Sequence, residues 1–319
     1  MKMGEDMWRL CGNTIEEGEK RQLFLQVDEE ISMPATAVCG AYPGRTVLIT
    51  AGIHSDEYPG IAGAIRAAAR LDPAHVHGRI LIVHCVNVAG FWAKTSYVPD
   101  DHANLNGNYP GDPLGGHGAR IADFFVRTLF GQVDFIMDLH SGGKMEPLTP
   151  CLFFPAAAGA RVREASLYAA QALDIPYLIA SSARTGQYSY AAGMGIPGLL
   201  VERGACGLLR EQWVTAVYRD ILRLLSRLGV CEDIVPGPVC DKKVFERTVY
   251  LSAAEDGLWY PAVEENQSVH EGSLLGHAED FWGNVTRQYF AEAKGRVFYY
   301  TASLAVRVGD PLVAYGIEE

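Results

Sequence analysis

The chain has 319 residues, nearly half of them apolar and a fifth charged, as in a soluble globular protein long enough for two cores. A formal net charge of -11 excludes nucleic acid as the main partner, because phosphate binding needs a clustered basic surface. Met1-Lys2-Met3-Gly4-Glu5-Asp6 opens no secretory signal, the stretch from Ile80 to Ala93 is too short and too polar to span a bilayer, and seven scattered cysteines without a Cys-x-x-Cys pair point to reduced thiols in the cytoplasm.

In chain order, Thr46–Gly52 (TVLITAG) predicts a buried strand and Gly60–Leu71 an Ala-rich helix. Arg79–Val86 follows as a second strand, Ala119–Phe130 as a helix and Phe135–Leu139 as a third strand. Ala160–Leu173 reads as a helix, Gly198–Val201 as a strand, and a helix runs from Glu211 to Leu228. Short apolar runs separated by helices indicate an α/β fold whose mostly parallel or mixed sheet is covered on both faces. The pattern changes after Cys231. Val235-Pro236-Gly237-Pro238 reads as a linker, followed by short alternating runs at Val244–Ser252, Leu258–Val263, Leu274–His277, Arg296–Tyr300 and Ala305–Val308. The expected organisation is a catalytic α/β domain over residues 1–235 and a small all-β domain over 236–319.

Ligand sites of open α/β sheets gather at the carboxyl ends of strands. After TVLITAG come His54 and Glu57, the run FIMDLH ends in His140, and GLLV is followed by Glu202. His54 and Glu57, three residues apart just before Tyr58-Pro59, fall on one side of a strand-to-helix turn. With His140 they make two imidazoles and a carboxylate, a set that holds zinc and leaves a position open for water. Zinc would lower the pKa of that water from ~15.7 to ~7. Glu202 is the candidate proton acceptor and donor. Asp138, two residues before His140 on the same strand face, is a candidate to orient it, and equally a buried structural Asp. Taken singly, each has a plainer reading: a solvated helix start for His54 and Glu57, a loop histidine for His140, an ion pair with Arg203 or Arg184 for Glu202. His84 reads as a core histidine, and His75, His77, His117, His270 and His277 as solvated or structural.

Together and in order, these segments resemble the succinylglutamate desuccinylase/aspartoacylase family, relatives of the zinc carboxypeptidases. Gly52-Ile53-His54-Ser55-Asp56-Glu57 resembles its G-x-H-G-D-E motif, Asp138-Leu139-His140 its D-x-H motif, and Glu202 with Gly204 its E-x-G motif. Asn87 through Gly111 resembles its substrate-binding stretch, and Gly309-Asp310-Pro311-Leu312 the end of its lipoyl-like β domain. The resemblance implies a zinc-exopeptidase-like α/β/α sandwich with a mixed sheet, then a small β domain. It implies one zinc per chain on His54, Glu57 and His140, with Glu202 as general base and acid. The substrate would be a small N-acyl amino acid or N-acyl amine, with no membrane or nucleic-acid partner and homo-oligomerisation left open.

The chain departs from the family pattern at two places. Ser96 stands where an arginine normally polarises the scissile carbonyl, and Gly107 where a second arginine follows the motif asparagine, here Asn106. Arginine suits carboxylate recognition and oxyanion stabilisation, so a weaker dependence on a substrate carboxylate is expected. Lys94, His102, Lys144, Arg184 and Arg203 are candidate replacement cations; Asn106, Ser96 and Arg184 are the expected substrate contacts. Two other readings stand beside the deacylase: a metallocarboxypeptidase, which the missing arginine at Gly107 disfavours, and a zinc-binding protein without catalysis, which retention of Glu202 disfavours.

Overall fold

A computed structural model describes residues 7–232, 235 and 239–318. The N-terminal hexapeptide and the expected linker at Pro236–Pro238 lie outside the described residues. The chain opens with β1 (Trp8–Leu10) and β2 (Asn13–Ile15), an antiparallel hairpin. Both residues of its turn, Cys11 and Gly12, have positive φ, the backbone that matches the twist of two-residue hairpins.

The main body follows as β3 (Glu19–Gln26), β4 (Ser32–Cys39), β5 (Tyr42–Ala51), α1 (Tyr58–Arg70), β6 (His77–Val83), α2 (Val88–Ala93) and α3 (His117–Phe124). It continues with β7 (Phe135–His140), β8 (Cys151–Pro155), α4 (Ala160–Ala170), β9 (Tyr177–Ser181), α5 (Gln187–Gly193), β10 (Gly198–Glu202), α6 (Glu211–Arg227) and β11 (Lys243–Phe245). Nine of these strands form one mixed sheet in the order β11-β9-β8-β10-β7-β5-β6-β4-β3. Its centre, β10-β7-β5-β6, is parallel; β8 and β4 turn antiparallel to their central neighbours.

Helices cover both faces, as the apolar runs of the central strands require. One face packs against α1, α4 and α6 through Ala64, Ala67, Ala169, Val217, Ile221 and Leu225. Here α1 and α6 approach so closely that a Cβ on Gly63 would meet Val217 Cγ1 at 2.5 Å. The other face packs against the N-terminal hairpin, α3 and α5 through Trp8, Ile15, Ile121, Phe125 and Tyr188. The helix expected over Ala119–Phe130 starts at His117 and changes pitch: a π turn occupies Phe125–Leu129 and a 3-10 turn Phe130–Gln132. No disulfide joins any of the seven cysteines, and no helix of the described residues is long and apolar enough to cross a membrane.

The C-terminal part is a sandwich of two antiparallel four-stranded sheets. Its strands are β12 (Thr248–Ser252), β13 (Gly257–Pro261), β14 (Ser268–Val269), β15 (Leu274–Glu279), β16 (Val285–Phe290), β17 (Gly295–Tyr300), β18 (Ala305–Val306) and β19 (Pro311–Ile317). The sheets run β12-β19-β17-β14 and β16-β15-β13-β18 around Trp259, Leu275, Val297, Leu312 and Tyr315. The run read as Val244–Ser252 is split. Lys243–Phe245 pairs parallel to β9 at the edge of the large sheet, and the sandwich begins only at Thr248. Phe245 lies with Cys151, Ile179 and Phe298 in a cluster that joins the two bodies. The loop after β7 is also tied across: the Thr149 N–H donates to Phe298 O at 2.7 Å, Ala302 N–H to Met145 O at 2.7 Å, and Leu148 bridges Tyr299.

Candidate metal centre and active site

Because β5, β7 and β10 are adjacent and parallel, their carboxyl ends share one edge of the sheet. Beyond β5 the chain reverses at Gly52, whose φ of +69° places it in the left-handed region that glycine tolerates. His54 and Glu57 sit in the turn that follows, and α1 starts at Tyr58 with Pro59 in its first turn. His140 ends β7 and Glu202 ends β10, in register with each other as Cα partners. Paired positions on adjacent strands face the same side, so Glu202 shares His140's side of the sheet.

One ligand atom each from His54, Glu57 and His140 falls within 4.8 Å of the others. The Glu57 carboxylate sits between the imidazoles: Oε1 is 2.9 Å from His54 Nδ1 and Oε2 is 3.0 Å from His140 Nδ1. Ser141 N–H donates to Oε2 at 3.0 Å. Burial opposes ionisation of Glu57, but the neighbouring imidazoles outweigh it and hold its carboxyl down at about 2. Burial likewise opposes protonation of His140, yet Glu57 and Asp138 raise it well above the ordinary imidazole range. Such a shared, buried set of two imidazoles and a carboxylate fits a small divalent cation.

Asp138 stands behind His140, its Oδ2 3.4 Å from Nε2. Its other oxygen, Oδ1, accepts from Thr50 Oγ1 at 2.9 Å, Thr50 accepts from Gln187 Nε2 at 2.9 Å, and Tyr109 OH donates to Gln187 Oε1 at 3.0 Å. This buried chain holds the carboxylate against the imidazole. Glu202 Oε2, like Asp138 Oδ2, is buried without a hydrogen-bond partner. Burial, and then Glu57, push the Glu202 carboxyl well above the usual range. A carboxyl of that kind exchanges a proton more readily near neutrality than an exposed one.

The expected substrate contacts separate. Ser96 lines a cleft of about 510 Å³ beside the metal centre. Its loop is tied down from behind, Ser55 Oγ donating to Thr95 O and Asn87 Nδ2 to Tyr97 O. Asn106 lies in a short 3-10 turn with Oδ1 buried and unpartnered, close to Gly186 of the loop before α5. A Cβ on Gly107 would meet nothing within 4 Å. Arg184 is exposed and lines a different cleft, of about 440 Å³, with Pro155, Tyr190 and Met194. Arg203 points to the opposite side of the sheet from Glu202 and is fixed by Asp220 of α6, Nε to Oδ2 at 2.7 Å. His102 is exposed and packs against Tyr97; Lys94 caps α2 in a left-handed conformation. Of the candidate cations, Lys144 shares the cleft with Ser96.

Several residues at the site escaped the sequence reading. Asn104 Oδ1 lies 3.1 Å from His54 Nε2, and Glu146 and Asp56 line the cleft. Asp56 was visible inside the motif, next to a ligand. For Asn104 and Glu146 only proximity to the motif segments could have raised them. His84, the expected core histidine, is hydrogen-bonded to Thr36 Oγ1 at 2.9 Å, away from the centre.

Comparison with known proteins agrees with this geometry. The model of the succinylglutamate desuccinylase/aspartoacylase catalytic domain matches residues 43–228. The N-alpha-acetyl-L-2,4-diaminobutyric acid deacetylase of Halomonas elongata is 27% identical over 290 residues, covering 88% of this chain and 84% of its own. The product-bound ectoine utilization protein EutE (DoeB) of Ruegeria pomeroyi superposes with a TM-score of 0.84 at 25% identity, covering 94% of this chain and 95% of that one. A succinylglutamate desuccinylase/aspartoacylase from Rhodobacter sphaeroides gives 0.81 at 26% identity, over 91% and 90%. The motifs at three adjacent strand ends, the fold around them and a match over more than half the chain agree, and the chain belongs to the succinylglutamate desuccinylase/aspartoacylase family.

Proposed function

We propose that this protein is a zinc-dependent N-deacylase that hydrolyses the amide of a small N-acyl amino acid or N-acyl amine. The observation that carries the reading is an unpartnered, buried Glu202 carboxyl at the strand end adjacent to His140, beside a three-residue set fit for a metal. His54, Glu57 and His140 would hold the ion, and Asp138 would orient His140. A zinc ion bound there supplies a Lewis acid that acidifies water at neutral pH. Glu202 takes a proton from the attacking water and returns it to the departing nitrogen, the transfer that an amide requires. The Halomonas elongata relative is named as a deacetylase of an N-acetylated diamino acid, which supports an amide rather than an ester or a peptide terminus as the bond cleaved. A non-catalytic metal site has no need of the poised Glu202 carboxyl.

The test is release of free amine from a panel of N-acyl amino acids and N-acyl amines, with metal content measured on the same sample. Hydrolysis that tracks zinc content is expected. Protein loaded with zinc that cleaves no member of the panel overturns the reading.

A further inference from the structure

Strand β17 brings the sandwich to the candidate site. It carries a β-bulge: Val297 pairs with Tyr315 and Tyr299 with Ala314, which leaves Phe298 as the extra residue. Successive side chains of a strand point to opposite sides, and a bulge breaks that rule. Phe298 thus enters the joint with Cys151, Ile179 and Phe245, and Tyr299 packs against the same cluster. The backbone is fixed there: Tyr299 bridges Leu148, and Tyr300 N–H donates to Pro147 O at 3.3 Å.

This packing sets the phenol beside Glu202. Cys151 of β8 is the cross-strand partner of Glu202 of β10, so a ring packed on the Cys151 cluster lies near Glu202 as well. Tyr299 also lines the cleft of about 510 Å³ that Ser96 and Glu146 line. Among the described residues no hydrogen bond occupies its hydroxyl. Burial, and then Tyr250, Glu146 and Glu202, push the phenol well above its ordinary range, so it stays protonated and able to donate. Other donors of the cleft are engaged elsewhere: Lys144 Nζ donates to Lys94 O, and Tyr97 packs on the exposed His102.

We propose that the Tyr299 hydroxyl donates a hydrogen bond to the acyl oxygen of the substrate as negative charge develops there, in place of the arginine that the family pattern has at Ser96. The role rests on the amide-hydrolase reading. The phenol keeps its proton throughout, and Glu202 carries the proton that moves from water to the departing nitrogen. A hydroxyl already held in a buried site stabilises a developing oxyanion without reorganising, and it does so without burying a further charge.

Two measurements on zinc-loaded protein test it, with Tyr299→Phe, which removes the hydroxyl and keeps the ring. The first is steady-state kinetics on the best N-acyl substrate of the panel. In the variant kcat should fall by ~10²–10³-fold, the effect of losing one oxyanion donor, with KM little changed and with zinc content and melting temperature at wild-type values. The second is calorimetric binding of methylphosphonate, a stable tetrahedral anion of the acetyl group's size, against acetate, its planar counterpart. Wild type should favour the phosphonate, and the variant should lose about tenfold or more of that preference. Wild-type turnover with an unaltered phosphonate preference in Tyr299→Phe overturns the donor and leaves the hydrolase intact. Turnover that falls in step with lost zinc or a lowered melting temperature makes Tyr299 a structural residue and overturns the donor too. A phosphonate preference that depends on Tyr299, in a protein that hydrolyses no N-acyl compound, upholds the donor and overturns the hydrolase reading.

Discussion

The two bodies of the molecule treat polar groups in opposite ways. Among the described residues, every polar or charged side chain that is buried lies between Thr36 and Asp220, and Thr50, Ser55, Asp56, Glu57, Asn87, Asp138, His140, Ser141 and Gln187 cluster in or behind the candidate metal centre. The sandwich keeps its core to apolar and aromatic side chains. Its three buried aromatics with polar tips are satisfied by backbone: Trp259 Nε1 donates to Thr301 O at 3.1 Å, Glu292 N–H donates to Tyr315 OH at 3.0 Å, and Ala254 N–H donates to Tyr289 OH at 3.0 Å. Burying polar groups costs stability unless each finds a partner. In the α/β body most of these groups are paired; unpartnered buried atoms include Asp56 Oδ1 and Glu202 Oε2 close to the candidate site and His84 Nδ1 away from it. What differs, then, is how much polarity each body buries: the α/β body gathers buried polar side chains near its strand ends, while the sandwich, whose unpartnered buried atoms are Thr248 Oγ1, Glu255 Oε1 and Arg296 Nε, keeps its core apolar and supplies a wall.

Variants should separate these two characters. The largest effect is expected for His140→Ala, which removes a ligand: zinc content measured by elemental analysis should fall to a small fraction of the wild-type value, and hydrolysis with it. Retention of a full metal equivalent would break the assignment. Glu202→Gln comes next. It keeps shape and metal but removes the proton carrier, so steady-state turnover should fall by ~10²–10⁴-fold. Because the native Glu202 carboxyl is buried without a donor, the melting temperature of this variant should not fall.

Trp259→Ala sharpens the comparison from the other side. It hollows the sandwich core and should lower unfolding free energy by about 3–5 kcal/mol in denaturant titrations, while zinc content of the folded fraction stays at the wild-type level. The smallest effect is at the surface of the α/β body. Arg66 pairs with Glu211 through two contacts of 2.6 and 2.9 Å and holds that carboxyl down at about 2, against an ordinary 4.5. Its folded pKa is depressed, so whatever stability the pair adds is present above pH ~4.5 and fades as pH falls toward ~2. NMR titration of Glu211 should show the low midpoint, and Arg66→Ala should raise it toward the ordinary range, with the Thr215 hydroxyl still holding it somewhat below.

How much of this the sequence discloses also differs between the two bodies. Central strands buried on both faces are continuous apolar runs, so β5, β6, β7 and β10 are legible, as are α1, α4 and α6. The strand ends then make His54, Glu57, His140 and Glu202 readable by position alone. Edge elements are not. The outer strand β3 alternates half-buried and exposed positions through EKRQLFLQ, and β16 is mostly exposed, so neither has the contrast that marks a buried strand. The break between β11 and β12 is invisible because Val244 to Ser252 reads as one run, although Phe245 packs against Cys151 and Ile179 in the first body. The cleft that Ser96 lines is the least legible, since Glu146, Tyr299 and Leu312 meet there from distant parts of the chain.

The loop from Ser141 to Pro150 follows the strand that ends in His140 and is stitched to the sandwich by backbone hydrogen bonds at Met145 and Thr149 and by the bridge at Leu148. Loops that carry such pairing do not behave as the free tips where inserted sequence is tolerated. For protein engineering, an added tag or probe there would unseat both bodies at once. The turn at Phe281–Trp282, between β15 and β16, is highly exposed, and the N–H groups of Trp282 and Asn284 donate to Asp280 Oδ1. It is the place to carry a label that leaves the chemistry alone.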